Sequence, residues 1–187
     1  MRELLADWRY RLLFHWYAWE KGNVVFFSLL PLPVVLLGFL VHFAYEDWSR
    51  IEAERRRRVD LQCLAENVYY EARGEPVSGQ YAVAEVTMNR VRARQFPSTV
   101  CDVVHEKRWD PLRKRLVGAF SWTELERLPR PRGPAWDRAR AVAEAVYDQK
   151  EAPRVEGALY YHAEHIEPSW AKEKRLVAEI GRHRFYR

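Results

Sequence analysis

An uncharged run from Gly22 to Tyr45 constrains this chain more than any other feature of its sequence. Most of the run reads VVFFSLLPLPVVLLGFLV, and a helix that crosses a membrane needs about 20 consecutive residues of this kind. Pro31 and Pro33 are compatible with such a helix, because backbone groups freed by proline find other partners in lipid. A cleaved signal peptide fits less well, since the run is long and no small-residue cleavage site follows it. The sequence therefore predicts a transmembrane helix over residues 23–45.

The segments on either side of this run carry charge and have helical patterns. Before it, residues 1–22 place Leu and Trp side chains at helical spacing with basic residues between them, which predicts an interfacial amphipathic segment. After it, residues 46–60 are polar nearly all round and include four consecutive arginines, which predicts a solvated basic stalk. Asp60 is expected to cap the helix that follows. Because arginines stand on both sides of the run, their number does not fix its orientation.

Residues 61–187 are the predicted folded domain, and Glu71 has an unusual position in its first helix. One face of that helix is apolar and consists of Leu61, Leu64, Ala65, Val68 and Ala72. Glu71 lies at the edge of this face, close to the GEP sequence that must end the helix. A partly desolvated carboxyl favours its neutral form, so its pKa should rise, as a general acid requires. An ion pair with Arg73 or Arg90 is the structural alternative.

The motif around Glu71 is part of a longer pattern. From Leu64 the chain reads LAENVYYEARGEPVSGQYAVAEVTMNRV, and later FPSTVCDVV, FSW, GALYYHAEHIEPSWA and IGRHRFY. This pattern resembles the SleB-type (spore-cortex-lytic-like) cell wall hydrolase family, and the resemblance covers residues 61–187. It implies a lysozyme-like domain that cleaves the glycan strands of peptidoglycan, with Glu71 as the catalytic acid. The stretch from Glu106 to Gly118 departs from the family pattern and leaves one wall of the substrate groove undefined.

The expected fold is α+β and mostly helical, a lysozyme-like or lytic-transglycosylase-like domain with a small β element, preceded by one transmembrane helix. Apolar residues at helical spacing predict further helices over 80–91 and 136–146. The aromatic stretches GALYYH and RHRFYR favour strands, which would pair in the small β element. Between them, EPSWAKEKRLVAEIG has a helical pattern that Gly181 would end.

Seven residues besides Glu71 are expected to bind substrate, four of them polar and three of them aromatic rings that would stack on sugars: Glu75, Gln80, Asn89, Ser121, Trp122, Tyr160 and Tyr161. Core packing of the aromatic rings, and an ion pair between Glu75 and Arg90, are open alternatives. His162 and His165 form an HxxH pair, but without an HExxH motif or a cysteine cluster the pair predicts no metal site. No metal and no other cofactor is expected.

Cys63 and Cys101 are the only cysteines of the chain. In an extracytoplasmic domain they would form a disulfide, which loop-closure entropy makes worth about 4 kcal/mol, and two buried free thiols are the alternative. A disulfide and a wall substrate would both place the domain outside the cytoplasm. The expected location is therefore the inner (cytoplasmic) membrane of a bacterium, with a single span and an extracytoplasmic or periplasmic catalytic domain.

The carboxylates of the chain bear on the type of reaction. Hydrolysis uses two carboxyls about 5 to 9 Å apart, and spacing does not distinguish Glu75, Glu85 and Asp102 as the second group. Lytic transglycosylation needs only Glu71 and is preferred, with muramidase-type hydrolysis left open. A non-catalytic peptidoglycan-binding envelope protein is the alternative function. The net charge of +5 suits nucleic acid too, but no nucleic-acid-binding module is recognised, so peptidoglycan and a membrane are the expected partners.

Overall fold

The structure is a computed structural model that describes residue 11 and residues 14–21, 31–111 and 113–187. The chain divides into two units, Met1–Glu54 and Arg55–Arg187. Residues 14–21 of the first unit are helical, and a long helix, α1, extends over Pro31–Ala72. The other residues of the predicted amphipathic segment, apart from residue 11, lie outside the described residues, and so does the first part of the uncharged run, up to residue 30.

The prediction of a transmembrane helix over residues 23–45 is wrong. None of the helices in the described part of the chain combines the length and the hydropathy that crossing a membrane requires. The physical reason lies in α1, where the described part of the uncharged run ends at Tyr45 and charged residues follow within the same helix.

Helix α1 continues through Asp60, so the predicted helix start at this residue is also wrong. No glycine or proline interrupts the sequence on either side of Asp60, and its residues are mostly good helix formers. The Asp60 carboxylate instead accepts a hydrogen bond of 3.2 Å from the backbone N–H of Val100. At its other end, α1 stops at Ala72, just before Gly74 and Pro76, as the sequence predicts.

Helices form the main core of the second unit. Helix α2 (Val77–Arg92) contacts both α3 (Val100–Val104) and α4 (Pro134–Tyr147), and α1 contributes its last turns. The helices predicted over 80–91 and 136–146 are confirmed as α2 and α4. Fully or almost fully buried members of this core are Leu64, Val68, Ala84, Val100, Val103, Val104, Ala139, Val142 and Ala143.

A β-hairpin follows α3. Its strands, β1 (Lys107–Asp110) and β2 (Arg115–Gly118), are antiparallel, and a single 3-10 turn over Ser121–Glu124 comes next. The sequence does not predict this hairpin, because both strands are short and mostly exposed and lack the apolar alternation of a half-buried strand.

The small β element is a three-stranded antiparallel sheet in the order β3-β5-β4, formed by β3 (Tyr160–Ala163), β4 (Leu176–Ile180) and β5 (His183–Tyr186). The predicted pairing of GALYYH with RHRFYR is confirmed, with Tyr161 opposite Phe185. Phe185 is fully buried in a second apolar cluster, which also contains residues of α2. The sheet therefore packs against the helices and brings β3 to the end of α1.

The prediction of a helix in EPSWAKEKRLVAEIG is wrong. This segment forms one 3-10 turn, Ser169–Glu173, and then β4. Val177, Ala178 and Ile180 of β4 pack against the cluster around Phe185, and this burial in a sheet outweighs the helical preference of the isolated sequence.

Candidate active site

Glu71 lies on the last turn of α1, at the edge of its apolar face. Its carboxyl is half-buried, and Oε2 accepts a hydrogen bond of 3.0 Å from the hydroxyl of Tyr161. Burial raises the pKa of Glu71, while hydrogen bonds from Tyr161 and Ser121 and the positive charge of Arg90 partly offset this rise. At a given pH, this carboxyl is therefore protonated more often than an exposed glutamate.

Tyr161 reaches Glu71 from strand β3. Burial, followed by the neighbouring Glu71 carboxylate, raises the pKa of the Tyr161 hydroxyl well above its usual range. The hydroxyl therefore keeps its proton and donates to Glu71. Its ring contacts the rings of Phe185 and His183, with centroid separations of 5.6 and 5.2 Å, so strand packing fixes the donor in place.

Arg90 brings a positive charge to the site from α2. Its guanidinium is buried, which lowers its pKa, but arginine stays protonated near neutral pH. Nε donates a hydrogen bond of 2.8 Å to the carbonyl of Leu159, and the group lies 5.4 and 5.1 Å from the ring centroids of Phe96 and Phe120. These contacts hold a cation where it stabilises the carboxylate form of Glu71.

The 3-10 turn Ser121–Glu124 forms another side of the site. Ser121 is exposed, and its hydroxyl and backbone N–H lie close enough to Glu71 to lower the pKa of that carboxyl. The next residue, Trp122, is buried, and its Nε1 donates to Asn67 Oδ1 at 2.9 Å. Asn67 in turn donates to Thr87 Oγ1 at 3.1 Å, so a buried polar network anchors the turn that carries Ser121.

Three of the expected substrate-binding residues make internal hydrogen bonds away from Glu71. Glu75 accepts from the backbone N–H and Nε of Arg182, at 2.9 and 2.8 Å, so its partner is neither Arg73 nor Arg90. Burial acts to raise the pKa of Glu75, but the Arg182 hydrogen bonds outweigh it and lower the pKa. Two amides complete the group, because Gln80 donates to the carbonyl of Glu75 and Asn89 donates to carbonyls of the 155–158 loop.

Tyr160 lies next to Tyr161 in sequence but belongs to a different group of side chains. Its ring packs 5.7 Å from that of Trp170 and 6.3 Å from that of Phe96, and Lys174 Nζ lies 3.9 Å from its centroid. Of the eight expected site residues, the structure therefore brings together Glu71, Ser121 and Tyr161, with Trp122 directly behind them.

The sequence patterns name Arg90 only as an ion-pair alternative for Glu71 or Glu75, and they do not single out Asn67. Arg90 enters the site as a charge near Glu71, and Asn67 holds Trp122 in place. The sequence does indicate a special role for Asn67, because it is a polar residue next to Val68 in the buried part of α1. A buried amide requires hydrogen-bond partners, which points to an internal network.

The carboxylates considered as a second catalytic group are also engaged in structural contacts. Glu85 Oε2 accepts from the backbone N–H groups of Arg154 and Val155, at 2.7 and 2.8 Å. Asp102 lies at the start of α3 and is hydrogen-bonded to Thr99 Oγ1 at 2.7 Å. Both carboxylates thus hold local structure, whereas burial raises the pKa of Glu71.

The model of one protein family, Cell Wall Hydrolase, matches residues 74–186, which is more than half of the chain. The chain belongs to the Cell Wall Hydrolase family. The matched region contains Arg90, Ser121 and Tyr161, whereas Glu71 lies three residues before it.

This Cell Wall Hydrolase family member is similar to curated spore cortex-lytic enzymes. It is 33% identical to that of Oceanobacillus iheyensis over 128 residues, which make up 67% of this chain and 41% of that protein. It is 31% identical to that of Bacillus subtilis over 128 residues, which make up 67% of this chain and 37% of that protein. The chain therefore spans about two fifths of the length of these relatives.

A solved structure is similar as well. The catalytic domain of the germination-specific lytic transglycosylase SleB from Bacillus anthracis matches with a TM-score of 0.52 and 31% sequence identity. The match covers 68% of this chain and 93% of that domain. The family resemblance predicted from the sequence motifs is thus confirmed.

Proposed function

We propose that this chain cleaves the glycan strands of peptidoglycan and that Glu71 is its single general acid and base. The observation that carries the proposal is the half-buried Glu71 carboxyl, whose pKa is raised by burial. Membership of the Cell Wall Hydrolase family supports the class of substrate. The likeness to a domain named as a lytic transglycosylase supports the class of reaction.

In the first step, neutral Glu71 donates its proton to the oxygen of the scissile glycosidic bond. The bond between that oxygen and C1 breaks, the leaving sugar keeps the proton, and positive charge develops at C1 and the ring oxygen. Glu71 becomes a carboxylate, which the Tyr161 hydroxyl and the Arg90 charge stabilise as it forms. General acid catalysis of this kind contributes about 10²- to 10⁴-fold to the rate.

In the second step, the Glu71 carboxylate takes the proton from the 6-hydroxyl of the same sugar. The oxygen of that hydroxyl forms a bond to C1, which gives a 1,6-anhydro sugar and returns Glu71 to its neutral form. No water is consumed. One carboxyl therefore serves first as the acid and then as the base. Burial favours its protonated form and hydrogen bonding favours its carboxylate form, so both forms are accessible.

The structural contacts of the other candidate carboxylates favour this lytic reaction over hydrolysis. A hydrolase of the usual kind needs a second carboxyl about 5 to 9 Å from the acid, as nucleophile or as base for water. Glu75 is bound by Arg182, Glu85 by two backbone N–H groups and Asp102 by Thr99. Recruiting any of the three for catalysis would break contacts that hold the fold.

The products of the wild-type protein test the reaction. Purified sacculi are incubated with the full chain, and the released muropeptides are analysed by mass spectrometry. The expected products end in 1,6-anhydro sugars, whose mass is lower by one water than that of the hydrolysis product. Reducing ends would replace the lytic reaction with hydrolysis, and the absence of released muropeptides would refute glycan cleavage itself.

We further propose that the second unit folds outside the cytoplasm. A disulfide between Cys63 and Cys101 links α1 to α3, and disulfides form and persist in oxidising compartments. The proposed substrate lies there too. An export-dependent reporter fused after Arg187 should be active in a bacterial host, whereas activity of only a cytoplasm-dependent fluorescent reporter at that position would contradict the proposal.

A further inference from the structure

The β1–β2 hairpin carries an apolar pair on its outer face. Trp109 and Leu116 are opposite each other in the antiparallel register, so their side chains share one face of the ribbon. Trp109 is 62% exposed and Leu116 is 56% exposed. On the other face, the Arg108 guanidinium lies 4.3 Å from the ring centroid of buried Phe96. One face of the hairpin thus packs against the core, and the other exposes an apolar pair to solvent. Exposed apolar side chains that lie together are typical of interaction sites.

The same hairpin is strongly basic. From Lys107 to Gly118 there are five basic residues and one acidic residue. Three of the cations are in ion pairs, namely Arg108 with Glu106, Arg113 with Asp110 and Arg115 with Glu124. Lys107 and Lys114 leave the hairpin with net positive charge, and Lys107 shares the face of Trp109 because it lies two residues before it in β1. This surface therefore matches a ligand that is anionic and has apolar faces.

The hairpin is tied to the segment that contacts Glu71. The backbone N–H of Gly118 donates to Glu124 Oε1 at 2.7 Å, and Glu124 is the last residue of the 3-10 turn that begins with Ser121. Ser121 itself lies close enough to Glu71 to lower the pKa of its carboxyl. Two residues lie between Gly118 and Ser121, so their Cα atoms are at most about 11 Å apart. The end of β2 at Gly118 therefore lies close to the turn at the edge of the Glu71 site.

We propose that Trp109, Leu116 and Lys107 form a subsite for the peptidoglycan strand beyond the bond that Glu71 cleaves, an inference that rests on the proposed function. Trp109 stacks on the apolar face of a pyranose ring, and Lys107 meets carboxylates of the stem peptide. Continuity with Ser121 favours a glycan over a lipid surface. This subsite makes binding depend on strand length.

Binding to intact sacculi tests the subsite. Full-length Glu71→Gln protein is sedimented with purified sacculi over a range of concentrations, alone and with Trp109→Ala or Leu116→Ala added. Trp109→Ala should weaken the apparent affinity by roughly five- to tenfold, as expected for loss of one stacked ring, and Leu116→Ala by about twofold to threefold. The matched control is Trp48→Ala, which removes a Trp that is 63% exposed on α1 and should leave binding unchanged.

The outcomes separate this inference from the proposed function. Sedimentation measures binding whether or not Glu71 is catalytic, whereas failure of the proposed function is seen as muropeptide release that Glu71→Gln leaves intact. Equal binding of the Trp109→Ala and parent proteins, both folded by circular dichroism, overturns the subsite. Trp109-dependent binding to vesicles of phosphatidylcholine and phosphatidylglycerol, without binding to sacculi, also overturns it and assigns the hairpin to a lipid surface.

Discussion

Glu71 experiences two opposing influences on its protonation. Burial favours the neutral acid, while Tyr161, Arg90 and Ser121 favour the carboxylate. An enzyme that donates a proton and takes one back in each cycle needs both forms within reach of its working pH. The three groups come from β3, α2 and the 3-10 turn, so the balance depends on the packing of separate elements around the end of α1.

Tyr161→Phe tests this balance, because it removes the hydroxyl and keeps the ring. The hydroxyl stabilises the carboxylate form, so its loss should raise the pKa of Glu71 further. The alkaline limb of the activity profile, which reports loss of the acid form, should move to higher pH. The maximal rate should fall roughly tenfold or more, as for loss of a hydrogen bond to a charged group. Muropeptide release measured across pH shows both effects, and an alkaline limb that stays in place contradicts this role of Tyr161.

At the residue scale, the sequence predicts the acid more easily than its partners. The position of Glu71 at the edge of an apolar face follows from helical spacing within a few turns of α1. Tyr161 meets it across a separation of 90 residues, and that contact depends on how β3 packs against the helices. Aromatic character alone does not reveal whether Tyr161 binds a sugar or donates to a carboxylate.

At the element scale, Glu75 and Arg182 join the turn after α1 to the turn between β4 and β5. Arg182 binds both carboxylate oxygens of the buried Glu75 through its backbone N–H and its guanidinium. Gly181, at a φ of 60°, allows this approach, since a Cβ there would collide with Glu75 Oε2. The pair thereby fixes the end of α1, where Glu71 lies, against the sheet that carries Tyr161.

Glu75→Gln should destabilise the fold in a pH-dependent manner. The folded pKa of Glu75 is lowered, so its stabilisation is present above the unfolded pKa and is lost as the pH falls through the folded pKa. The variant should lose about 1–3 kcal/mol in free energy of unfolding near neutral pH, and less in acid. Arg182 is 67% exposed, so solvent screens part of the pair.

Urea denaturation near neutral and at acidic pH measures this difference. Glu179→Gln is the control, because Glu179 pairs with Arg184 at 3.0 Å in the same sheet but is exposed. Its loss should cost less than about 1 kcal/mol. A Glu75→Gln deficit that stays constant into acid would contradict the assignment of this ion pair.

Elements with strong periodic patterns are predictable from the sequence, and those held by distant contacts are not. α2 and α4 have apolar faces that reveal them. The segment that becomes β4 has a helical pattern, but the cluster around Phe185 buries it in a sheet. The β1–β2 hairpin has no apolar alternation, since it packs through Arg108 and keeps Trp109 exposed.

At the scale of the whole molecule, the sequence motifs correctly predict the family, whereas the hydropathy of the uncharged run wrongly predicts a membrane span. Residue identities spread over residues 74–186 carry the Cell Wall Hydrolase pattern, and they reflect long-range contacts that a local hydropathy pattern does not contain. The uncharged run predicts a membrane span, yet in α1 its described part passes directly into charged sequence.

The central claim is that this molecule cleaves peptidoglycan through Glu71, and Glu71→Gln tests it most directly. The glutamine keeps the size of the side chain and a hydrogen-bond acceptor for Tyr161, but it has no proton to donate. Glu66→Gln is the matched control, since Glu66 is on the same helix and its carboxylate accepts a hydrogen bond from Gln62. The measurement is the rate of muropeptide release from purified sacculi by folded proteins of matched concentration. We expect the rate of muropeptide release to fall at least about 100-fold for Glu71→Gln and to stay near wild type for Glu66→Gln. Release by Glu71→Gln at a rate close to wild type would contradict the role of Glu71.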